Sequence, residues 1–276
     1  NQININELLN NALALHHQGK LDDADKIYQL VINGDANNFQ ANHLHGCILS
    51  QKMQFEEAIT FLEKAISIEP NNYEANNNLG IAYKNIKSFV NSEKYFKNAI
   101  SIDSNNYKAL FNCANLYIES DKYEEALNYL EKSSNADILF AEAPQRIGEV
   151  YQYMFQSDRS LTHLHSSKKY FLLAIERDEK YADAYLMLGM SSLWLGEINE
   201  ADKLFKKVLN LNHSEKYYID NNSNKYLSDI KSLSILITHE YEQLTHIDND
   251  TDDIRNPKFT KEYYGLLENL YKKIST

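Results

Sequence analysis

Asn71-Asn72-Tyr73 sits between two near-copies of itself, Asn37-Asn38-Phe39 and Asn105-Asn106-Tyr107, each 34 residues away. A fixed period of 34 is the signature of stacked helix-turn-helix units, each packing mainly on its neighbours. Each string parts two stretches of helical apolar spacing. Asn suits the turn between them, and the aromatic residue opens the next helix. Taking that aromatic as position 1 marks repeats 39–72, 73–106 and 107–140, and the same ruler run backwards marks 5–38. Within this frame Leu8, Ala12 and Leu15 are followed by a Gly19-Lys20 turn, then by Ala24, Tyr28 and Val31. The later units repeat the scheme with Gly46, Ala58, Leu62 and Ala65, with Leu79, Gly80, Tyr83, Phe96 and Ala99, and with Leu110, Ala114, Tyr117, Ala126 and Leu130.

Composition agrees with a helical array. The 276 residues include only 8 Gly and 3 Pro, which suits long helices joined by short turns. Asn occurs 32 times, but interleaved with periodic apolar residues rather than in a disordered tract. A formal net charge of −11 argues against nucleic acid as a partner, which calls for a basic footprint, and against an anionic membrane surface. No apolar run is long enough to span a bilayer, so membrane insertion is not expected. The polar start, Asn1 to Asn11, is not a signal peptide. Two cysteines, Cys47 and Cys113, do not make a disulfide framework and read as free thiols of a reducing, cytoplasmic compartment.

Past residue 140 the ruler still applies, with one irregularity. Repeat five, 141–181, carries Ile147-Gly148 and Tyr151, then Phe171, Ala174 and Ile175, but is seven residues longer than its neighbours. The surplus lies in Gln156 to Ser166 and reads as a plain solvent loop, a longer turn or an extended first helix. Repeat six, 182–215, has Tyr185, Leu188-Gly189, a Gly196-Glu197 turn, Ala201, Phe205 and Val208. From 216 to 276 the repeat is lost. A helix is expected from Asn224 to about His246 through Leu227, Ile230, Leu233, Ile237 and Tyr241, and a final amphipathic one from Thr260 to Ile274. Both read as capping helices for the last repeat.

These residues resemble the tetratricopeptide repeat family, which places Leu-Gly at positions 7 and 8, Tyr at 11, Ala at 20, an aromatic at 24, Ala at 27 and Pro at 32. Small residues at 8, 20 and 27 let two helices approach, and large ones fill the gaps between them. Ser92 and Ser133 depart mildly from the Ala pattern. The resemblance covers residues 5–215 and implies an all-α, right-handed superhelical solenoid of about six repeats.

In that family ligands lie along the concave face, at positions 2, 5, 6, 9, 12 and 13 of the first helices. Position 6 holds Asn10, Asn78, Asn112 and Arg146, with Leu44 and Met187 in repeats two and six. A side-chain amide donates and accepts at once, so a column of them can pair with an extended backbone. This looks like the asparagine ladder in the repeats of O-linked N-acetylglucosamine transferase. Asn115, Lys84 and Lys108 share the face. The carboxylate clamp of co-chaperones is incomplete, because Asn77, Ile81 and Glu142 stand where Lys, Asn and Lys belong. Repeat six turns apolar inside, with Leu186, Met187, Met190, Leu193 and the single Trp194, which reads either as a docking pocket or as a surface covered by the capping helices.

No metal or cofactor is expected. His16-His17 and His43/His45 do not share helix faces, and there is no phosphate-cradling loop, nucleophile elbow or metal-ligand motif. The expected function is a non-catalytic scaffold that takes a protein or extended peptide in its concave groove. The alternative is the substrate-recruiting region of a larger enzyme, such as a glycosyltransferase, sulfotransferase or 2-oxoglutarate oxygenase. A third arrangement is a homo-oligomer that swaps its final helix.

Overall fold

The computed structural model describes residues 5–214, which hold twelve helices and no strand among them. The two helices expected at 224–246 and 260–274 lie outside the described residues. Contacts divide the chain into two compact units, Asn1–Asp137 and Ile138–Thr276. The first unit holds α1 (Ile5–His17), α2 (Leu21–Gly34), α3 (Phe39–Gln51), α4 (Phe55–Ile68), α5 (Tyr73–Asn85), α6 (Phe89–Ile102), α7 (Tyr107–Ile118) and α8 (Tyr123–Ala136). The second holds α9 (Glu142–Asp158), α10 (Leu161–Arg177), α11 (Ala182–Trp194) and α12 (Ile198–Ser214). Consecutive helices pair as hairpins, and within each unit the second helix of one hairpin packs on the first helix of the next.

The repeated string acts through its second asparagine. Asn38, Asn72 and Asn106 are N-caps of α3, α5 and α7, and their side chains accept from the backbone N–H of Ala41, Ala75 and Ala109 at 2.9, 2.9 and 3.0 Å. Such a cap satisfies one of the donors that a helix start leaves unpaired. Asn42 and Asn76 lock the same joints by donating back to the carbonyls of Asn38 and Asn72 at 2.8 and 2.9 Å.

The hairpin turns carry strain at one place. Position 15 takes a left-handed backbone in Gly19, Met53, Lys87, Asp121 and Gly196, with φ between 55° and 81°. Only two of these five are glycine, the residue that adopts this conformation without cost. In repeat five the left-handed residue is Arg159, four residues late. The expected solvent loop is absent. Helices α9 and α10 each run 17 residues, against 13 and 14 in α3 and α4, so the surplus extends both helices and leaves the turn tight. Seven residues are close to two turns at about 3.6 residues each, so both helices keep their apolar stripes in register.

Inside each hairpin a small residue at position 8 meets a large one at position 24. A β-carbon placed on Gly46, Gly80, Gly148 or Gly189 would lie 2.7, 2.6, 2.6 or 2.5 Å from Leu62, Phe96, Phe171 or Phe205, respectively. Those four large side chains are themselves buried. Ser92, at the position where Ala is usual, is fully buried and donates to Gly80 O at 2.8 Å, which reconciles its hydroxyl with the core. The paired glycine and ring lead to a stability prediction. Gly80→Ala should destabilise the chain by about 1–3 kcal/mol through overpacking. Adding Phe96→Leu should recover much of that loss, because repeat four already pairs Ala114 with Leu130. Urea unfolding of the single and double variants reads both effects, and a Gly80→Ala chain as stable as wild type would refute the close approach.

Candidate functional site

Four polar contacts between successive first helices follow one rule in the first unit. Gln51 Nε2 meets His16 Nε2 at 3.3 Å, Asn78 Nδ2 meets His43 Nε2 at 3.0 Å, Asn112 Nδ2 donates to Asn77 Oδ1 at 3.0 Å, and Lys84 Nζ donates to Glu119 Oε1 at 2.7 Å. Every pair is separated by 35 residues. Neighbouring first helices therefore meet one residue out of step with the 34-residue repeat. Position 5 reaches position 6 of the next repeat, and position 12 reaches position 13. The result is two rows of polar side chains crossing from helix to helix.

Asn78 sits at the centre of the first row. Its Nδ2 also donates to Cys47 Sγ at 3.2 Å, and the His43 ring stacks on Phe39 with centroids 5.5 Å apart. Because an amide N–H can only donate, His43 Nε2 is the acceptor and the imidazole is neutral with its proton on Nδ1. Burial lowers the His43 pKa from its ordinary value, against a smaller opposing pull from Glu74. Burial likewise pushes the Cys47 and Cys113 thiols up to about 12, so neither is a reactive thiolate near neutral pH.

Asn78 has both N–H groups committed and Asn112 one, while their carbonyl oxygens have no hydrogen-bond partner among the described residues. The half-buried Asn115 side chain also has none among them. The first unit therefore brings together Asn77, Asn78, Asn112 and Asn115 as a surface of amides held partly by the protein itself. The charges on this face balance. Lys84 pairs with Glu119, while Lys108 and Glu74 are exposed and the Lys108 ammonium stands 5.7 Å from the Tyr107 ring.

The remaining predicted site residues do not join that row. Asn10 is exposed on α1, and the position-6 residue of repeat two, Leu44, packs instead against a core cluster with Leu9, Tyr28 and Ile48. Arg146 and Trp194 belong to the second unit. There Arg146 Nη1 and Gln145 Nε2 both donate to Glu149 at 2.6 Å, and Tyr181 donates to Gln145. Burial raises the Glu149 pKa, although Arg146 and Gln145 oppose the rise. Trp194 is half-buried and lies 5.7 Å from Phe155, beside the cluster of Leu186, Met190 and Leu193.

Sequence reasoning overlooked His43 and Asn77 as partners of the ladder, because they become visible only when 35 is added to each position rather than 34, and Cys47, which reaches Asn78 over 31 residues. It also overlooked the buried Asp25–His45 pair, with Oδ1 to Nδ1 at 2.5 Å, which ties α2 to α3. His43 and His45 do point to different faces: one lies in the polar row and the other in this tie. Among the described residues no group of three or more His, Cys, Asp or Glu is placed to hold a metal, and no helix is long and apolar enough to cross a membrane.

The hairpin pairs and the glycine-to-ring contacts define a helical-repeat protein. The chain belongs to the tetratricopeptide repeat family. Models described as TPR repeat and tetratricopeptide repeat match residues 46–86, 87–137 and 183–212. No curated protein matches the sequence. Among solved structures, PilW, titled a widely conserved type IV pilus biogenesis factor, is 20% identical with a TM-score of 0.67, covering 82% of this chain and 99% of its own. PilF of Pseudomonas aeruginosa is 13% identical with a TM-score of 0.63, covering 82% and 97%. YrrB, titled a TPR protein with an unusual peptide-binding site, is 16% identical with a TM-score of 0.51, covering 72% and 97%. At these identities the likeness is one of fold.

The buried imidazole makes unit one sensitive to acid. Its folded pKa is depressed below 6.5, as is that of His16, again through burial first. The unfolded chain therefore takes up these protons before the folded one does. This part of the stability is complete above pH 6.5 and is lost as the pH falls through the folded values. His43→Gln keeps an acceptor for Asn78 without a titrating group. The urea midpoint of that variant should fall less between pH 7 and pH 5 than the wild-type midpoint. An equal fall in both would contradict the assignment.

Proposed function

We propose that the chain is a non-catalytic scaffold that takes an extended segment of a protein partner along the first helices of its first unit. The observation that carries this reading is the amide row. The side-chain nitrogens of Asn78 and Asn112 each donate to the preceding first helix, and their carbonyl oxygens are left to accept from a ligand's backbone N–H. Asn115 offers a further donor and acceptor, and the Lys84–Glu119 pair and Lys108 border the row. Amides that bond a backbone read extended conformation rather than side chains, and a face with balanced charge adds little electrostatic preference. Partner choice then rests on shape and on the bordering residues. Arg146 and Trp194, in the second unit, serve as separate secondary contacts.

Two features support the wider reading. The family's known structures include one titled as a peptide-binding TPR protein. Both cysteines are free, which fits a reducing, cytoplasmic setting. The same amide row would serve equally as the substrate-recruiting region of a larger enzyme, since the recognition chemistry is unchanged.

A peptide selected on this chain from a random-sequence display library is the probe. Asn78→Ala together with Asn112→Ala removes two hydrogen bonds of about 1 kcal/mol each and should weaken binding by about tenfold or more. N-methylation of the peptide's contacting amides should weaken it comparably, and titration with salt should change affinity little. An unchanged affinity in the double variant, measured by calorimetry on a folded protein, would remove the amide row from the binding account.

A further inference from the structure

The amide row offers carbonyl oxygens because acceptors on the preceding helix hold its nitrogens inward. For Asn112 that acceptor is Asn77 Oδ1, which gains no proton near neutral pH. For Asn78 it is His43 Nε2 at 3.0 Å, backed by Cys47 Sγ at 3.2 Å. Neither neighbour of Asn78 is limited to that role. An imidazole nitrogen accepts when bare and donates when protonated. The Cys47 thiol keeps its proton through burial and is itself a weak donor. A half-turn of the Asn78 amide exchanges its oxygen and nitrogen without moving the backbone. The His43 ring is the fixed partner, since it is 7% exposed and stacks on Phe39 with 29° between the planes.

We propose that His43 is a positioning residue of the row: with Nε2 bare it turns the Asn78 carbonyl outward, and with Nε2 protonated it turns the amide over so that the nitrogen faces outward. In the second state Asn78 Oδ1 accepts from His43 Nε2–H and from the Cys47 thiol. Both states are bonded inside the protein, so the amide has two discrete settings. With His43 neutral, Asn78 and Asn112 both accept a partner's backbone N–H. With His43 charged, a donor at Asn78 faces that N–H. This consequence rests on the reading of the row as a peptide site, whereas the setting of the amide does not. Burial lowers the His43 pKa below 6.5, so the outward carbonyl is the neutral-pH state. Glu74, facing from α5, opposes that drop. On α2, Asp25 is turned to His45 on the other face of α3, and burial pushes the Tyr28 hydroxyl, near Cys47, up to about 12, so it stays neutral. On α4, Glu56, Glu57, Glu63 and Lys64 are exposed, with Glu63 taken by Tyr83. His16 of α1 meets Gln51, about two turns along α3 from His43. A ligand N–H and a proton on His43 therefore compete, and each weakens the other.

Nuclear magnetic resonance of the full wild-type chain, followed from pH 7.5 down through the titration of the His43 ring, tests the setting of the amide without a ligand. The Asn78 Nδ2 protons should show cross-relaxation with the carbon-bound protons of the His43 ring at pH 7.5. That signal should weaken several-fold with the midpoint of the ring, while the Asn112 Nδ2 contact with Asn77 stays constant. An Asn78 signal that persists once the ring is charged would overturn the proposal. The binding consequence is read with a display-selected peptide that lacks Asp, Glu, Lys and His and has blocked ends. Its affinity for wild type should fall about tenfold as His43 takes up its proton, through one lost hydrogen bond and two opposed donors. In His43→Gln, which accepts from Asn78 at every pH, the fall should stay under about twofold. Equal falls in both proteins would also overturn the proposal. Asn78→Ala with Asn112→Ala at pH 7.5 separates the two readings. Unchanged affinity there removes the peptide site, and the resonance signal then decides the setting of the amide by itself.

Discussion

The backbone of a first helix passes so close to the ring or leucine opposite that a methyl group does not fit between them. In four hairpins the contact is a glycine at position 8 against Leu62, Phe96, Phe171 or Phe205. The close approach fixes how far apart the two helices stand and how each is rotated. Once rotation is fixed, side chains at positions 5, 6, 12 and 13 in unit one can reach the neighbouring first helix. The polar rows of unit one follow from that rotation, as does the apolar edge of α11. Where position 8 is Ala, as in Ala12 and Ala114, position 24 is Tyr28 or Leu130, and all four are fully buried. The scheme therefore constrains the pair of residues rather than glycine alone.

The second constraint is the step of one residue between successive first helices. A strict repeat would place Asn78 beside Leu44 and Asn112 beside Asn78. The 35-residue step instead places Asn78 beside His43 and Asn112 beside Asn77. The functional meaning of an asparagine at position 6 thus depends on its neighbour at position 5 one repeat earlier. Asn10 has no such partner, because no described helix precedes α1 to offer a position 5. Arg146 is likewise occupied by Glu149 on its own helix. Its charge is largely used by the protein before any partner arrives.

Much of the fold was legible because the joint string states its own chemistry. Asn38, Asn72 and Asn106 read as turn residues and are N-caps. Gly80 and Phe96 read as a small and a large residue facing each other and do so. For the repeat-five surplus, read as a solvent loop, a longer turn or an extended first helix, the loop is wrong, the extension of α9 is right and that of α10 was not foreseen, since Gln156 to Ser166 is polar and contains no clear helix signal. The structure absorbs it as one added turn on each helix, which a polar composition permits on a solvent-facing tip. Asn78 and Asn112 were legible as candidates from their position in the repeat. Their partners were not, because side-chain pairing across helices depends on the inter-repeat step, which no single repeat encodes. The left-handed turns at Met53, Lys87 and Asp121 were equally invisible, since only Gly19 and Gly196 announce that conformation by residue type.

The central claim is that the first-helix amides are held by one another before a ligand binds. A double-mutant cycle on the pair Asn77 and Asn112 addresses it directly. Stabilities of wild type, Asn77→Ala, Asn112→Ala and the double variant, taken from urea unfolding, yield the coupling between the two side chains. A bond of this kind predicts a coupling of about 0.5–1.5 kcal/mol. Losses that simply add, with no coupling, would mean that the two amides do not bond across the helices and that the row is a set of independent solvated side chains.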